Sequence, residues 1–118
     1  MNMKKILILL ALLICGASYA GAQAQPAPTR IEITAKRFAF TPNEITVKKG
    51  QPVQLVLKSV DVAHGIRIRG LNVSVKVKAG GTAEVTFTPD QIGDFEGHCS
   101  VFCGAGHGSM TLLVHVVA

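Results

Sequence analysis

Tryptophan is absent from this sequence, Tyr19 is its only tyrosine, and it has just three cysteines and a 16% share of charged residues. Three cysteines are too few for a small domain stapled by disulfides. A charged fraction this low, beside 48% hydrophobic residues, excludes an intrinsically disordered chain. Long apolar runs are missing: Ile6–Ile14 has nine residues, where a bilayer span needs roughly 20. No stretch carries a convincing 3.6-residue hydrophobic period, and no internal repeat or low-complexity segment occurs. A length of 118 residues leaves room for one domain and rules out a large multidomain enzyme.

The short apolar run has a recognisable setting. Lys4 and Lys5 precede it, and the small residues Gly16, Ala17, Ser18, Ala20, Gly21, Ala22 and Ala24 follow. That order predicts a secretory signal peptide over residues 1–20, with cleavage near Ala20 to Ala24. The alternative is an uncleaved segment that anchors the domain to the membrane, facing the periplasm. Cys15 follows the bulky Ile14 and reads as part of the apolar region rather than as a lipoprotein cysteine. Removing residues 1–20 leaves 98 of the 118 residues, and losing Lys4 and Lys5 lowers the formal charge from +5 to +3. An exported protein of such mild charge is a poor match to nucleic acid. Residues 21–29, with Pro26 and Pro28, predict a flexible lead-in to a domain over residues 30–118.

Within that domain the hydrophobic period is 2. Ile31, Ile33 and Ala35 alternate with polar neighbours, as do Ile45 and Val47, and Val53, Leu55 and Leu57. Further on, Ile66 and Ile68, Val73, Val75 and Val77, and Ala83, Val85 and Phe87 do the same. Thr111–Val117 is apolar on both faces. Turns fall at Thr41-Pro42-Asn43, at Lys48–Gln51 and at Ala79–Thr82. Seven or eight short strands spaced this way predict an all-β Greek-key sandwich.

Chemistry concentrates in one glycine-rich loop, Cys99 to Met110, where Cys99, Cys103, His107 and Met110 fall within twelve residues. Thiolate, imidazole and thioether together favour copper, since thioether is a poor ligand for zinc. A zinc site would want another Cys or His in place of the Met. A plain disulfide would leave His107 and Met110 unexplained, although it suits a metal-free state. A Cys–His nucleophile pair would lack an orienting third group. A ligand from elsewhere is needed to close the shell. His64, in the loop Asp61–Gly65 beside a glycine, is the candidate. His98 should face away from Cys99 by strand alternation, and His115, inside the last strand, reads as structural. Phe95, Phe102, Val101 and Ile66 are the expected apolar surroundings of the site. Arg67, Arg69, Lys76 and Lys78 alternate outward as a basic face. No pocket for a small-molecule substrate is evident.

The spacing C-x3-C-x3-H-x2-M at Cys99, Cys103, His107 and Met110 resembles the cupredoxin family, and within it the binuclear copper A domain of cytochrome c oxidase subunit II. Asp61-Val62-Ala63-His64 is similar to that domain's D-V-x-H segment, and Phe40-Thr41-Pro42 to its first turn. The resemblance covers essentially Ile31 to Val117. It implies two copper ions bridged by the thiolates of Cys99 and Cys103, with ring nitrogens from His64 and His107. Met110 and the backbone carbonyl of Val101 would be the weak ligands. It also implies one-electron transfer with a redox protein, such as a c-type cytochrome or a terminal oxidase, and no catalysis by the domain alone. The soluble part of a terminal oxidase and a copper-delivery protein using the same ligands are the alternatives. The chain departs from subunit II at Val101, where many members carry a Glu that also serves a magnesium site. It departs again in having a signal-like segment where subunit II has a pair of membrane helices. Without Cys99 the remaining ligands, His64, Cys103, His107 and Met110, form a mononuclear blue-copper set, so the choice between one and two coppers turns on Cys99.

Overall fold

A computed structural model of the protein describes residues 27–118. The expected signal peptide, its cleavage zone and most of the lead-in lie outside the described residues. Among the described residues nine strands form in chain order: β1 (Thr29–Lys36), β2 (Ala39–Thr41), β3 (Glu44–Lys48), β4 (Val53–Ser59), β5 (His64–Ile68), β6 (Val73–Val77), β7 (Thr82–Phe87), β8 (Gly93–His98) and β9 (Thr111–Val117). The count exceeds the expected seven or eight because Ala39–Thr41 folds back on β1 as a separate short strand, with Lys36 opposite Ala39. β1 starts at Thr29, inside the expected lead-in, because the Thr29 N–H donates to the Pro52 carbonyl at 2.9 Å and extends the pairing with β4.

The strands make two sheets, ordered β2-β1-β4-β7 and β3-β9-β8-β5-β6. The chain leaves the first sheet after β2, enters the second with β3 and returns with β4. The pairs β1–β4 and β3–β9 are consequently parallel. This is the all-β Greek-key sandwich that the period-2 pattern predicts. Alternation decides what is inside. Ile33, Leu55 and Leu57 from one sheet meet Ile66, Ile68, Leu112 and Val114 from the other, all fully buried. Burial of such side chains stabilises by roughly 1.5–3 kcal/mol each relative to exposure.

Sequence alternation alone does not account for every position. Val56, on the outward side of the central strand β4, is buried between neighbours in β1 and β7, opposite Glu32 and Glu84 in register. On β9, Leu112, Val114 and Val116 enter the core, while Leu113 and His115 are half-buried on the other face. His115 has the structural role expected of it. Its Nδ1 lies 2.6 Å from Asp94 Oδ1 on β8, and its Nε2 pairs with Glu44 on β3, so one imidazole ties three strands. The two carboxylates raise its pKa, Glu44 contributing most.

One end of the sandwich carries the glycine-rich loop. The last register pair of β8 and β9 is His98 with Thr111, and the next residues close the neck through the Cys99 N–H to the Met110 carbonyl at 3.1 Å. β5 enters from the side: Arg67 faces His98, and Gly65 accepts a bond from the Ser100 N–H at 3.2 Å. The loop therefore springs from three hydrogen-bonded strands.

Candidate metal centre

His64 is the first residue of β5 and has no exposed surface. Its two ring nitrogens face different groups. Nδ1 stands 3.8 Å from Cys99 Sγ, and Nε2 lies 2.7 Å from Asp61 Oδ1. A carboxylate at Nε2 holds the ring proton there and leaves the Nδ1 lone pair directed at the sulfurs. Asp61 is itself fixed, accepting from the backbone N–H groups of Arg37 at 2.8 Å and Val62 at 2.7 Å. These bonds, that from Arg37 foremost, and the neighbouring His64 hold its pKa down at about 2. The turn behind it is closed by Ser59, whose hydroxyl donates to the Val62 carbonyl and accepts from the Asp61 N–H at 3.3 Å.

The loop supplies the other donors. Cys99 and Cys103 are buried free thiols with sulfurs 3.8 Å apart, so the disulfide considered from sequence is not formed. Cys103 Sγ lies 3.6 Å from His107 Nδ1 and 3.8 Å from Met110 Sδ. Cys99 Sγ lies 3.2 Å from the Val101 carbonyl oxygen. Donor atoms of His64, Cys99 and Cys103 all fall within 4.8 Å of one another, a group that can hold a metal ion. Burial, reinforced by the adjacent Cys99 thiol, pushes the Cys103 thiol up to about 11. Protons on these sulfurs would have to leave on metal binding, which couples loading to pH.

The residues named from sequence are thus brought together: His64, Cys99, Val101 through its carbonyl, Cys103, His107 and Met110. Met110 is almost fully buried, and His107 is partly open to solvent at the start of the 3-10 turn His107–Ser109. Cys99 is buried and His98 exposed, as alternation predicts. The expected apolar surroundings need one correction. Ile66 is buried, and Phe95 and Val101 are partly covered, but Phe102 is 79% exposed. Its ring lies 5.6 Å from that of His107, on the outside of the loop. The loop needs Cys103 inward, and that turns its neighbour outward.

Two functional contacts escaped the sequence reading. In the β1–β2 turn, Arg37 donates from Nε to the Cys103 carbonyl at 2.9 Å. Phe38 lies against the loop glycines so closely that a Cβ on Gly106 would be 2.5 Å from its ring and one on Gly104 would be 2.9 Å away. Arg37 therefore touches both halves of the site, Asp61 through its backbone and Cys103 through its side chain. No spacing in the sequence marks this turn, because the contact is made by residues 66 positions apart.

A sequence profile described as a cupredoxin-like domain matches residues 5–112. The chain belongs to the cupredoxin-like family. Among curated relatives this cupredoxin is 32% identical over 91 residues to cytochrome c oxidase subunit 2 of Thermus thermophilus, covering 77% of this chain and 67% of that one. It is 38% identical over 84 residues to nitrous-oxide reductase of Cupriavidus necator, covering 68% of this chain. The chain spans only 13% of that enzyme's length. Among solved structures the periplasmic domain of subunit II of cytochrome oxidase from Bradyrhizobium japonicum has the same fold, with a TM-score of 0.70 at 21% identity over 80% of this chain and 88% of that one.

The donors gathered in this cupredoxin fit copper chemically. Two thiols, two imidazole Nδ1 atoms and a thioether make a soft set, and each donor is presented by backbone that is itself hydrogen-bonded. Among the described residues no helix is long and apolar enough to cross a membrane.

Proposed function

We propose that this cupredoxin is an exported electron-transfer protein that holds two copper ions through Cys99, Cys103, His64 and His107, with Met110 and the Val101 carbonyl as weak ligands. The observation that carries the reading is the second thiol. A mononuclear centre needs one thiolate with both imidazoles around it. Cys103 has both in reach, His107 Nδ1 at 3.6 Å and a His64 donor within 4.8 Å. Cys99 lies 3.8 Å from Cys103 with His64 Nδ1 3.8 Å away, and this additional thiol is what supports a pair of ions over one.

When bound, the copper pair supplies a one-electron couple. The chain's contribution is to hold the ligands still. His64 is locked by Asp61 and buried by the sandwich, Met110 is pinned by the neck of the loop, and Cys103 is held through Arg37. A ligand set that does not rearrange when one electron arrives lowers the barrier to its transfer. Buried sulfurs keep water from the thiolates, whereas His107 is partly open to solvent and offers a route for the electron. The domain is an electron carrier and not an enzyme by itself. Its relatives include an oxidase subunit and a reductase, in keeping with a c-type cytochrome or terminal oxidase as its redox partner. The signal-like residues 1–20 and the likeness to a periplasmic domain support a periplasmic location.

Copper per chain, measured together with the electron paramagnetic resonance spectrum, tests this. Two coppers and a signal delocalised over both are expected. The Cys99→Ser variant should bind one copper with a localised hyperfine pattern or bind none. One copper in the parent chain, or an unchanged spectrum in the variant, would overturn the binuclear assignment.

A further inference from the structure

Gly65 gives the outer face of β5 an unusual cover. A Cβ there would sit 2.2 Å from Ser100 Oγ, so Ser100 lies directly over the strand. Beyond it, on the same face, Arg67, Arg69, His98, Cys99 and Ser100 line a cavity of about 450 Å³. A second cavity of about 340 Å³ adjoins it, sharing Arg67 and Arg69 and reaching Asn72 and Ser74. Lys76, which pairs with Gly65 in register, adds a further cation on β6. Among the described residues neither arginine forms an ion pair; Glu96 stands 3.8 Å from His98 Nε2 at the margin. Two guanidinium forks without carboxylate partners, together with the Ser100 hydroxyl, form a donor-rich and acceptor-poor groove with Cys99 in its wall.

We propose that this groove docks the clustered carboxylates of an acidic protein surface, giving the site a second face distinct from the one at His107. Two features favour a protein surface over a compact ion. The two cavities run on through shared arginines, a shape matched by several spaced carboxylates. The basic row also continues to Lys76, beyond either cavity. Long-range attraction to such a row speeds encounter and orients the partner. An acidic partner seated there contacts the backbone of Cys99 and Ser100 directly. The consequence for electron transfer rests on the copper reading above. The docking itself does not, and it is measured on the metal-free chain, so the two fail separately.

The experiment titrates the metal-free protein with a tetraglutamate peptide at low, fixed ionic strength and follows backbone amide shifts. Saturable shifts at Arg67, Arg69, Ser74, His98 and Ser100 are expected. The double variant Arg67→Gln with Arg69→Gln changes two exposed, outward residues, and its fold is checked by thermal unfolding. It should bind about ten-fold more weakly. The control Lys48→Gln with Lys49→Gln removes the same charge elsewhere and should stay within about two-fold of the parent. Three results would overturn the proposal: no saturable shifts, equal losses in both double variants, or citrate or inorganic phosphate matching the peptide at equal concentration. The last would mark a site for a compact oxyanion only.

Discussion

Arg37 makes two hydrogen bonds of different kinds, and they separate cleanly by mutation. Its backbone N–H holds Asp61, and its Nε holds the Cys103 carbonyl. Arg37→Ala keeps the first and removes the second together with a positive charge close to the thiolates. A nearby cation stabilises whichever state carries the extra electron, so the variant should show a midpoint potential lower by tens of millivolts, on the order of 1 kcal/mol at an effective dielectric of about 20. Voltammetry of the copper-loaded protein measures this, and Arg37→Lys should recover most of the loss. At His115 the effect is on stability. Its raised pKa in the fold means that the protonated ring is favoured by Glu44 and Asp94. That stabilisation is fully present below the unfolded value of about 6.5 and is lost as pH rises through the higher folded value. His115→Gln should therefore flatten the fall in unfolding free energy above pH 6.5, as read from urea titrations across pH 5.5 to 9.

The elements that matter most are the β8–β9 loop and the β1–β2 turn clasped onto it. The loop's glycines differ in their surroundings. Gly106 faces the Phe38 ring, and Gly104 has a φ of +134° beside the same ring, but a Cβ on Gly108 would meet nothing within 4 Å. Gly106→Ala must push the ring or the loop aside. It should cost about 1–3 kcal/mol in unfolding of the metal-free protein, like other overpacked sites, and should speed copper loss to a chelator. Gly108→Ala should change stability by no more than about 0.5 kcal/mol. Equal effects of the two would argue against the clasp. At this scale the sequence was partly legible. The C-x3-C-x3-H-x2-M spacing marked the loop and its donors, because a metal loop must place its ligands at short intervals. The Arg37–Phe38 turn was not legible, because Arg and Phe at a turn carry no signal of what lies across from them.

Across the whole molecule, two sheets share one core, and the site at its end depends on that core for its stiffness. Leu55 is fully buried at the centre of β4, in the sheet that carries none of the donors. Leu55→Ala should cost about 2–5 kcal/mol, a large part of the 5–15 kcal/mol typical of a domain. Copper should restore part of it, since a ligand bound only by the folded chain raises stability by mass action. Thermal unfolding with and without copper checks this: a variant whose midpoint copper does not raise would show that the centre is assembled independently of the core.

The amino-acid order alone specified most of the strands, through strict alternation such as Ile31-Ile33-Ala35 and Val73-Val75-Val77, and it named His64, Cys99, Cys103, His107 and Met110, with Val101 added by the family resemblance. Alternation and ligand spacing are local properties, so they survive in one dimension. What tertiary structure alone decided is non-local. It set which nitrogen of each histidine faces which sulfur, and it joined Asp61 to Arg37. It turned Phe102 outward and brought two arginines and a serine from different segments around one groove. Those relations depend on how strands far apart in the chain are laid side by side, and no pattern along the chain encodes that distance.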